Sequence, residues 1–313
     1  MRWKVLVTAP YIQPVIDEFR DTLIENNIDL IIPPVKERLD ESELLKYVED
    51  IDGAICGDDR FTRKVLRAAK RLKVISKWGT GIDSIDKDEA EKLGILVCNS
   101  PDAFTDPVAD TVLGYILSFA RQIPWTDRQM RSGKWEKRSC IALRDKVLGV
   151  IGVGYIGKAV IRRAIGFGMK VLGNDIRKIS DDFIKETGTI MLTLDELLHE
   201  AYFISIHCDL NPTSYHLIGR REFGLTKPTA YLINTARGPI LDEEALIWAL
   251  ENKAIAGAAL DVFEDEPLPE DSPLRQFENC LMSPHNANSS PEAWQRVHEN
   301  TIRNLLEGLK SKG

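Results

Sequence analysis

The last third of the chain places an arginine, an acidic residue and a histidine just after short apolar runs. These residues are Arg237, Glu266 and His285. A guanidinium group can bind a carboxylate through two parallel hydrogen bonds, and an imidazole can transfer protons near neutral pH. Because ligands bind at the carboxyl ends of strands in open α/β sheets, we expect the three side chains to meet at one sheet edge. For each residue taken singly, a structural or surface role is the alternative.

A glycine-rich segment earlier in the chain has the spacing of a dinucleotide-binding turn. Residues 150–157 read Val-Ile-Gly-Val-Gly-Tyr-Ile-Gly. In such a turn Gly152 permits the tight bend, Gly154 lets the backbone approach a pyrophosphate, and Gly157 allows close packing of helix on strand. The helix that follows offers N–H groups and a positive dipole to the phosphates. A glycine-rich turn that binds no ligand is the alternative, since this motif alone is weak evidence.

An acidic residue follows the next predicted strand. Asp175 comes eighteen residues after Gly157, just beyond the strand that starts at Lys170. A carboxylate at this place accepts hydrogen bonds from the ribose hydroxyls of NAD and repels the 2′-phosphate of NADP. Arg177 and Lys178 follow closely and weaken that discrimination. The pattern predicts NAD as the cofactor, with an ordinary surface acid as the alternative.

Short β-branched runs alternate with amphipathic segments along the whole chain, which predicts β-α-β units with parallel sheets. Eleven such runs are too many for one open sheet. We therefore predict an α/β fold with two Rossmann-like or flavodoxin-like domains, the cofactor domain (101–286) being inserted into a substrate domain (1–100 plus 287–313). The predicted strands are Val5–Val7, Leu30–Ile32, Ala54–Cys56, Val74–Ser76, Leu96–Cys98, Val147–Ile151, Val171–Leu172, Phe203–Ile206, Tyr231–Ile233, Ala258–Val262 and Leu281–Met282.

A long helical segment, Pro107 to Ile123, separates the two halves of the chain. Its apolar stripe is too wide for a single helix on the protein surface. The pattern predicts packing on the other domain or on another subunit, and hence a homodimer through this helix and its surroundings. The stripe consists of Val108, Val112, Leu113, Ile116, Leu117 and Ala120.

The composition is that of an ordinary soluble protein and excludes several classes. The hydrophobic share is 43%, the charged share is 28%, and the net charge of −7 argues against a nucleic-acid partner. The five cysteines are widely spaced and form no CxxC pair, so neither disulfides nor a metal site are predicted. No apolar run approaches the roughly eighteen residues of a membrane span, and no apolar leader follows Met1. We expect a cytoplasmic protein with no membrane partner.

Several motifs in this order resemble those of the D-isomer-specific 2-hydroxyacid dehydrogenases, the family of phosphoglycerate, formate and glycerate dehydrogenases. The resemblance covers nearly the whole chain and is clearest from Lys73 to His285. It implies an NAD-dependent oxidoreductase that transfers hydride between the nicotinamide and C2 of a small D-2-hydroxy or 2-oxo acid. The motifs are Gly79–Asp86, the glycine turn with Asp175, Asn234–Gly238, Asp261–Pro267 and Pro284–His285.

The resemblance implies that Arg237, Glu266 and His285 are the catalytic residues. Arg237 would bind the substrate carboxylate and polarise the 2-oxo oxygen, and His285 would exchange the proton of the 2-hydroxyl group. Glu266 would hydrogen-bond the imidazole, fix its tautomer and favour its protonated form. Glu264 competes for this assignment, and only the Glu-Pro context of the family favours Glu266.

The resemblance also implies the binding residues. Asp261 would bind the nicotinamide carboxamide, and backbone N–H groups around Trp78 would complete the carboxylate site. The segment from His207 to Asn211 departs from the family's His-x-Pro-Leu-Thr, which leaves the contacts of the nicotinamide ribose open. The implied substrate-binding residues are Trp78, Gly79, Thr80, Gly81 and Arg237. The implied cofactor-binding residues are Gly152, Gly154, Tyr155, Ile156, Gly157, Asp175, His207, Thr235, Ala236 and Asp261.

A phosphorylated substrate would need cationic side chains near the active site to bind its phosphate. The candidates are Arg60, Lys77 and Arg138. Arg60 lies in the loop that carries a phosphate-binding arginine in phosphoglycerate dehydrogenases. Alignment on Thr62, however, places Asp58 at that arginine's position, where a carboxylate would repel a phosphate. We expect a small 2-hydroxy acid other than 3-phosphoglycerate, with phosphoglycerate dehydrogenase proper as one alternative. A dinucleotide-sensing interaction protein is the other, because the C-terminal-binding corepressors of this family keep the same three catalytic residues.

Overall fold

The computed structural model describes residues 2–311, which form two α/β units. The first unit runs as far as Phe104 and resumes at Ser290, and the second is the continuous segment Thr105–Ser289. The second unit is therefore inserted into the sequence of the first. Both sheets are parallel throughout, so the predicted fold class is confirmed.

The first unit is built on five strands in the order β2-β1-β3-β4-β5, a flavodoxin-like arrangement. The three central strands are the most buried, and β3 and β4 are buried along their whole length. The strands are β1 (Trp3–Val7), β2 (Ile28–Ile31), β3 (Gly53–Cys56), β4 (Val74–Lys77) and β5 (Leu96–Cys98). The helices of this part are α1 (Arg20–Glu25), α2 (Glu41–Leu44), α3 (Arg63–Ala68) and α4 (Lys87–Lys92).

The second unit contains seven strands in the order β12-β11-β10-β9-β6-β7-β8. From β8 to β11 this is the Rossmann order, in which the connection reverses between β6 and β9 and leaves a crevice for a ligand. The strands are β6 (Val147–Ile151), β7 (Lys170–Asn174), β8 (Ile190–Met191), β9 (Phe203–Ile206), β10 (Tyr231–Asn234), β11 (Gly257–Leu260) and β12 (Cys280–Met282). The helices are α5 (Thr105–Arg121), α6 (Ile123–Arg131), α7 (Tyr155–Gly166), α8 (Asp181–Thr187), α9 (Leu194–Glu200), α10 (Arg220–Leu225) and α11 (Glu243–Glu251).

The C-terminal helix α12 (Pro291–Ser311) returns to the first unit and packs on β3, β4 and β5. Its apolar residues face the sheet, as the helical period requires. At Gly308 the helix approaches β4 so closely that a Cβ would lie 2.5 Å from a methyl carbon of Val74. Only glycine fits at that contact. No helix within residues 2–311 is long and apolar enough to cross a membrane.

The apolar stripe of α5 is covered inside its own unit. Val112, Ile116 and Phe119 are buried in the core that also contains Val160 of α7 and Leu148 of β6. The prediction that this stripe packs on the other domain or on another subunit is therefore not what the structure shows. The wide apolar face reflects a helix that packs against both α7 and the sheet of its own unit, and it gives a homodimer no support.

Candidate active site

The glycine turn lies between β6 and α7, at the crevice of the second sheet. Gly152 has φ +90°, and a Cβ there would come 2.5 Å from the backbone nitrogen of Cys208. A Cβ at Gly157 would lie 2.1 Å from the carbonyl oxygen of Gly152, which fixes the close approach of helix and turn. A Cβ at Gly154 would meet nothing within 4 Å, so this residue faces open space. The three positions are thus a bend, an open face and a packing contact.

Asp175 lies one residue beyond β7 and ties the turn to the neighbouring strand. Its Oδ2 accepts the N–H of Val153 at 2.7 Å, and its Oδ1 accepts the N–H of Arg177 at 2.7 Å. Each carboxylate oxygen has a further lone pair that can accept a ribose hydroxyl. No side chain caps the N-terminus of α7, so its first N–H groups can donate to a pyrophosphate. These residues fit NAD. Tyr155 is exposed at the helix start, and Ile156 packs partly buried against the core.

Two polar atoms at the carboxyl ends of β9 and β10 have no hydrogen-bond partner among residues 2–311. They are Nδ1 of His207 and the hydroxyl of Thr235, and both are out of contact with solvent. The other ring nitrogen of His207 lies 2.8 Å from the hydroxyl of Ser205. Burial lowers the pKa of His207 to about 3, so this ring is neutral at physiological pH. A neutral imidazole is suited to hydrogen bonding with a neutral ligand group.

His285 and Glu266 form a hydrogen-bonded pair. The imidazole Nδ1 lies 3.0 Å from Oε2 of Glu266, and both side chains are about 30% exposed. The second oxygen of Glu266 accepts the N–H of Phe263 at 3.0 Å, which fixes the carboxylate. Glu264 lies elsewhere, because its Oε1 is 2.8 Å from Nε2 of His216 and accepts the N–H of Glu243. The geometry therefore pairs Glu266, and not Glu264, with His285.

The loop that carries Arg237 follows β10 and is braced by Asn234. The buried side chain of Asn234 accepts the N–H of Ala236 and donates to the carbonyl oxygen of Arg237, both at 3.0 Å. A Cβ at Gly238 would lie 1.9 Å from the carbonyl carbon of Phe263, so this loop lies directly against the loop of Glu266. Asn234 was not among the predicted site residues. The available signal was a polar side chain at the end of an apolar strand.

Asp261 follows β11 and is 1% exposed. Its Oδ1 accepts the N–H of Asn286 and its Oδ2 accepts the N–H of Ala287, both at 2.9 Å. Burial raises the pKa of Asp261, and hydrogen bonds from Ala287, Ser283 and Asn286 oppose that rise. Both oxygens are thus engaged by the backbone that follows His285.

In the first unit, Trp78 begins the loop that follows β4. Its backbone N–H donates to the carbonyl of Cys56 at 2.8 Å, and its indole N–H donates to Nδ1 of His298 at 2.9 Å. Gly79 has φ +128°, and the hydroxyl of Thr80 donates to the carbonyl of Ser100 at 3.0 Å. Both donors of Trp78 are therefore engaged, while Gly79, Thr80 and Gly81 continue the loop.

The family model described as D-isomer specific 2-hydroxyacid dehydrogenase, NAD binding domain, matches residues 113–287, which is more than half of the chain. The chain belongs to this family. The predicted family and the predicted NAD cofactor are therefore confirmed. As a family member, the protein is an oxidoreductase that transfers hydride between NAD and C2 of a small 2-hydroxy or 2-oxo acid.

Individual relatives match most of this chain. The chain is 40% identical to a glyoxylate reductase of Thermofilum pendens, over 99% of this chain and 93% of that protein. It is 38% identical to a D-3-phosphoglycerate dehydrogenase of Methanocaldococcus jannaschii, over 86% of this chain and 52% of that longer protein. The solved structure of a D-lactate dehydrogenase from Aquifex aeolicus, complexed with NAD and lactic acid, matches with a TM-score of 0.87 and 29% identity over 98% of each chain.

Proposed function

We propose that this dehydrogenase reduces a small, unphosphorylated 2-oxo acid of the glyoxylate type with NADH. The observation that carries the proposal is the hydrogen bond between His285 and Glu266 on the same unit as the NAD-binding turn. Several of the relatives are glyoxylate reductases. A histidine held by a carboxylate is the group that the reduction of a ketone or aldehyde oxygen requires.

His285 gives the proton in the direction of reduction. Glu266 accepts a hydrogen bond at Nδ1, so Nε2 is the nitrogen that exchanges a proton with the substrate oxygen. NADH, when bound at the glycine turn, would supply the hydride to C2. His285 would give its proton to the 2-oxo oxygen, which becomes the 2-hydroxyl group. Arg237 binds the substrate carboxylate and polarises the 2-oxo group, for which a planar guanidinium is suited.

The remaining residues bind the cofactor and the substrate carboxylate. In the proposal, Gly152, Gly154, Tyr155, Ile156 and Gly157 hold the pyrophosphate, and Asp175 holds the adenosine ribose. The unpartnered atoms of His207 and Thr235, with Ala236, serve the nicotinamide half. Because both donors of Trp78 are engaged, we assign the substrate carboxylate to N–H groups of Gly79, Thr80 and Gly81, with Trp78 as their support.

Lys77 supports the choice of an unphosphorylated substrate. Its side chain is buried, and Nζ lies 3.0 Å from Oδ1 of Asp58. This cation is thus already paired with a carboxylate. Arg138 is engaged by the side chains of Gln129 and Gln122. Of the three candidate cations, Lys77 is therefore the one whose charge a carboxylate already neutralises, which disfavours a substrate with two additional negative charges.

The test is a panel of 2-oxo acids with NADH: glyoxylate, hydroxypyruvate and 3-phosphohydroxypyruvate. We expect kcat/KM to be about tenfold or more higher for the unphosphorylated acids, which corresponds to about 1.4 kcal/mol of transition-state binding. The Asp58→Asn variant provides a matched comparison: it keeps an acceptor for Lys77 but removes the negative charge that neutralises it, and should improve turnover of the phosphorylated acid. Efficient turnover of 3-phosphohydroxypyruvate by the wild type, with little on glyoxylate, would reverse the assignment.

We also propose that the enzyme is a cytoplasmic homodimer. The five cysteines are free thiols, as is usual in a reducing compartment. The apolar side chains that remain exposed around α6 support an interface there: Trp135 is 85% exposed, Ile123 54% and Met130 53%. Exposed apolar side chains that are close together in the sequence, here on α6 and in the segment just after it, commonly mark a protein contact.

A further inference from the structure

One hydrogen bond joins the C-terminal helix α12 to the loop that begins at Trp78. The indole N–H of Trp78 donates to Nδ1 of His298 at 2.9 Å, and the centres of the two rings lie 5.8 Å apart. Because an indole nitrogen can only donate, Nδ1 must accept, and the hydrogen of the neutral imidazole is on Nε2. The pair therefore requires a neutral histidine, since an imidazolium carries a hydrogen on both nitrogens and would oppose one N–H group to another.

Water cannot easily replace this partner, because both side chains are buried. Trp78 is 5% exposed and His298 is 6% exposed. A buried donor that loses its acceptor is costly to leave unpaired. Protonation of His298 therefore drives the indole from its place, where it packs on Tyr11 and Phe104 at 5.2 and 5.7 Å between ring centres.

The surroundings of His298 keep the imidazole neutral near physiological pH. Burial lowers its pKa, and the charge of Glu18, on the short helix Gln13–Phe19, opposes that shift. On the side of β4, the cation of Lys77 is paired with Asp58 at 3.0 Å. The residues of α12 one helical turn away are uncharged: Trp294, Gln295, Thr301 and Ile302. The imidazole therefore takes up a proton on the acid side of the ordinary histidine pKa of about 6.5.

Trp78 fixes the start of the substrate loop, which we define as residues 78–81. Its backbone N–H donates to the carbonyl oxygen of Cys56 at 2.8 Å, and its own carbonyl oxygen accepts Nζ of Lys77 at 3.3 Å. The indole is the third point that holds this residue. Gly79 follows with φ +128°, a backbone conformation that suits glycine. A displaced indole turns the backbone at this place, so the N–H groups that follow lose their direction toward a carboxylate.

The same helix supports the substrate loop at a second place. The side-chain amide of Asn304 donates to the carbonyl oxygen of Asn99 at 3.0 Å, and the side-chain amide of Asn99 donates to the carbonyl oxygen of Thr80 at 2.5 Å. Neither amide titrates. Protonation of His298 therefore releases the loop at Trp78 and leaves this second contact in place.

We propose that His298 is a positioning residue that makes substrate binding sensitive to acid: the neutral imidazole holds Trp78 and the substrate loop, and the protonated imidazole releases them. The inference rests on the proposed function, in which N–H groups of this loop bind the substrate carboxylate. His298 acts through Trp78, so its protonation raises KM and leaves the proton transfer by His285 unchanged. This loss of affinity in acid is separate from the loss of reduction at high pH, which follows the proton of His285.

The His298→Asn variant separates the hydrogen bond from the charge. The amide oxygen of asparagine can take the place of Nδ1 and accept the indole N–H, but it does not titrate. As the pH falls below about 6.5, the KM of the wild type for glyoxylate should rise about fivefold or more, while that of the variant stays level. The kcat at saturating glyoxylate should differ by less than about twofold between the two proteins. A KM that rises equally in both would overturn the inference.

The His298→Leu variant removes the acceptor at every pH. Its KM for glyoxylate at neutral pH should be about fivefold or more above that of the wild type and should no longer rise in acid. Trp78→Phe removes the donor and should have the same effect. The double variant should add less than about twofold to either single change, because both break one bond. An unchanged KM in His298→Leu at neutral pH would contradict the role of the imidazole.

His199→Asn is the matched control for these variants. This histidine is exposed on α9, so its loss should leave KM and the rise of KM in acid as they are in the wild type. The same loss of acid sensitivity in His199→Asn as in His298→Asn would overturn the assignment to His298.

A spectroscopic measurement on the wild type tests the hydrogen bond without turnover. The assigned indole N–H signal of Trp78 in the NMR spectrum should shift as the pH falls through the pKa of His298. In His298→Asn the signal should stay in place. A signal that does not move with pH in the wild type would overturn the inference, even if the variants fail to fold. Absence of glyoxylate turnover by the wild type would instead overturn the proposed function, and the signal of Trp78 would still report on the bond.

Discussion

The imidazole of His285 is held at its ring and at its backbone. Glu266 contacts Nδ1 at 3.0 Å, and the N–H of Phe263 holds the other oxygen of that carboxylate. Asp261 receives the N–H groups of the turn. A general acid must lie within about 3 Å of the atom that it protonates. Holding both the ring and the backbone of His285 in place should therefore increase the rate.

The charge of Glu266 should set the pH dependence of the reaction. Reduction needs a protonated imidazole, and a neighbouring carboxylate stabilises the imidazolium. In Glu266→Gln the hydrogen-bond acceptor remains but the charge is lost, so the imidazole loses its proton at lower pH. The pH at which the reductive rate falls to half should move down, and oxidation should begin at correspondingly lower pH. The pH–rate profiles of kcat/KM in both directions measure this.

Glu264→Gln is the control for that experiment. Glu264 is two residues away and pairs with His216 and Glu243 instead of His285. Its pH–rate profile should match that of the wild type. Identical profiles for all three proteins would mean that Glu266 contributes no charge to the catalytic imidazole.

At the scale of secondary-structure elements, the turn before α7 and the helix itself together form the proposed binding site for the cofactor's pyrophosphate. Gly152 and Gly157 permit contacts that a Cβ would obstruct, at 2.5 Å and 2.1 Å from backbone atoms. Asp175 ties the same turn to β7 through Val153. The N–H groups of the first helical turn can then be presented together to a pyrophosphate.

The Gly157→Ala variant tests this binding site. Its methyl group would displace the carbonyl of Gly152, so the turn must open and the N–H groups lose their common direction. We expect the Kd of NADH to rise about tenfold or more, measured by fluorescence titration. Gly166→Ala on the same helix is the control, because its Cβ meets nothing within 4 Å and alanine is the better helix former. Equal NADH affinity in both variants would contradict the role of the turn.

The sequence predicted which segments form strands and helices better than it predicted what each of them packs against. Each of the eleven predicted strands corresponds to a strand of the structure, because each is a short, mainly apolar run. The twelfth, β8, was not predicted; it pairs through only two residues at a sheet edge, and its Ile190 is 59% exposed. The stripe of α5 was recognised, but an apolar face shows only that a helix is covered, not by what. The structure shows that α7 and the sheet of the same unit cover it.

For the active site, too, the sequence predicted residue types better than it predicted the contacts between them. Arg237 and His285 could be named from their places after strands, whereas Glu266 was named through the family resemblance. The choice between Glu264 and Glu266 could not be made from spacing, because both lie in one acidic segment. The contacts of Asp261 were beyond prediction for a similar reason. They join residues more than twenty positions apart, which only the packing of β11 beside β12 brings together.

At the scale of the whole molecule, the exposed apolar side chains of residues 123–135 lead to a prediction about assembly. The chain has a mass of 35.3 kDa, and we expect sedimentation at micromolar concentration to give about twice that mass. Trp135→Glu places a charge in the proposed interface and should shift the protein toward the monomer. Tyr215→Glu alters another exposed aromatic residue, 59% exposed, and should not. A sedimentation mass of a monomer for the wild type would contradict the proposed homodimer.

The measurement that most directly tests the account compares His285→Ala with the wild type in the reduction of glyoxylate. Removing the general acid should lower kcat about a hundredfold or more. The Kd of NADH should stay within about twofold, because the imidazole pairs with Glu266 and not with the glycine turn. A His285→Ala enzyme with near-normal turnover and near-normal NADH binding would contradict the mechanism and leave only a dinucleotide-binding fold.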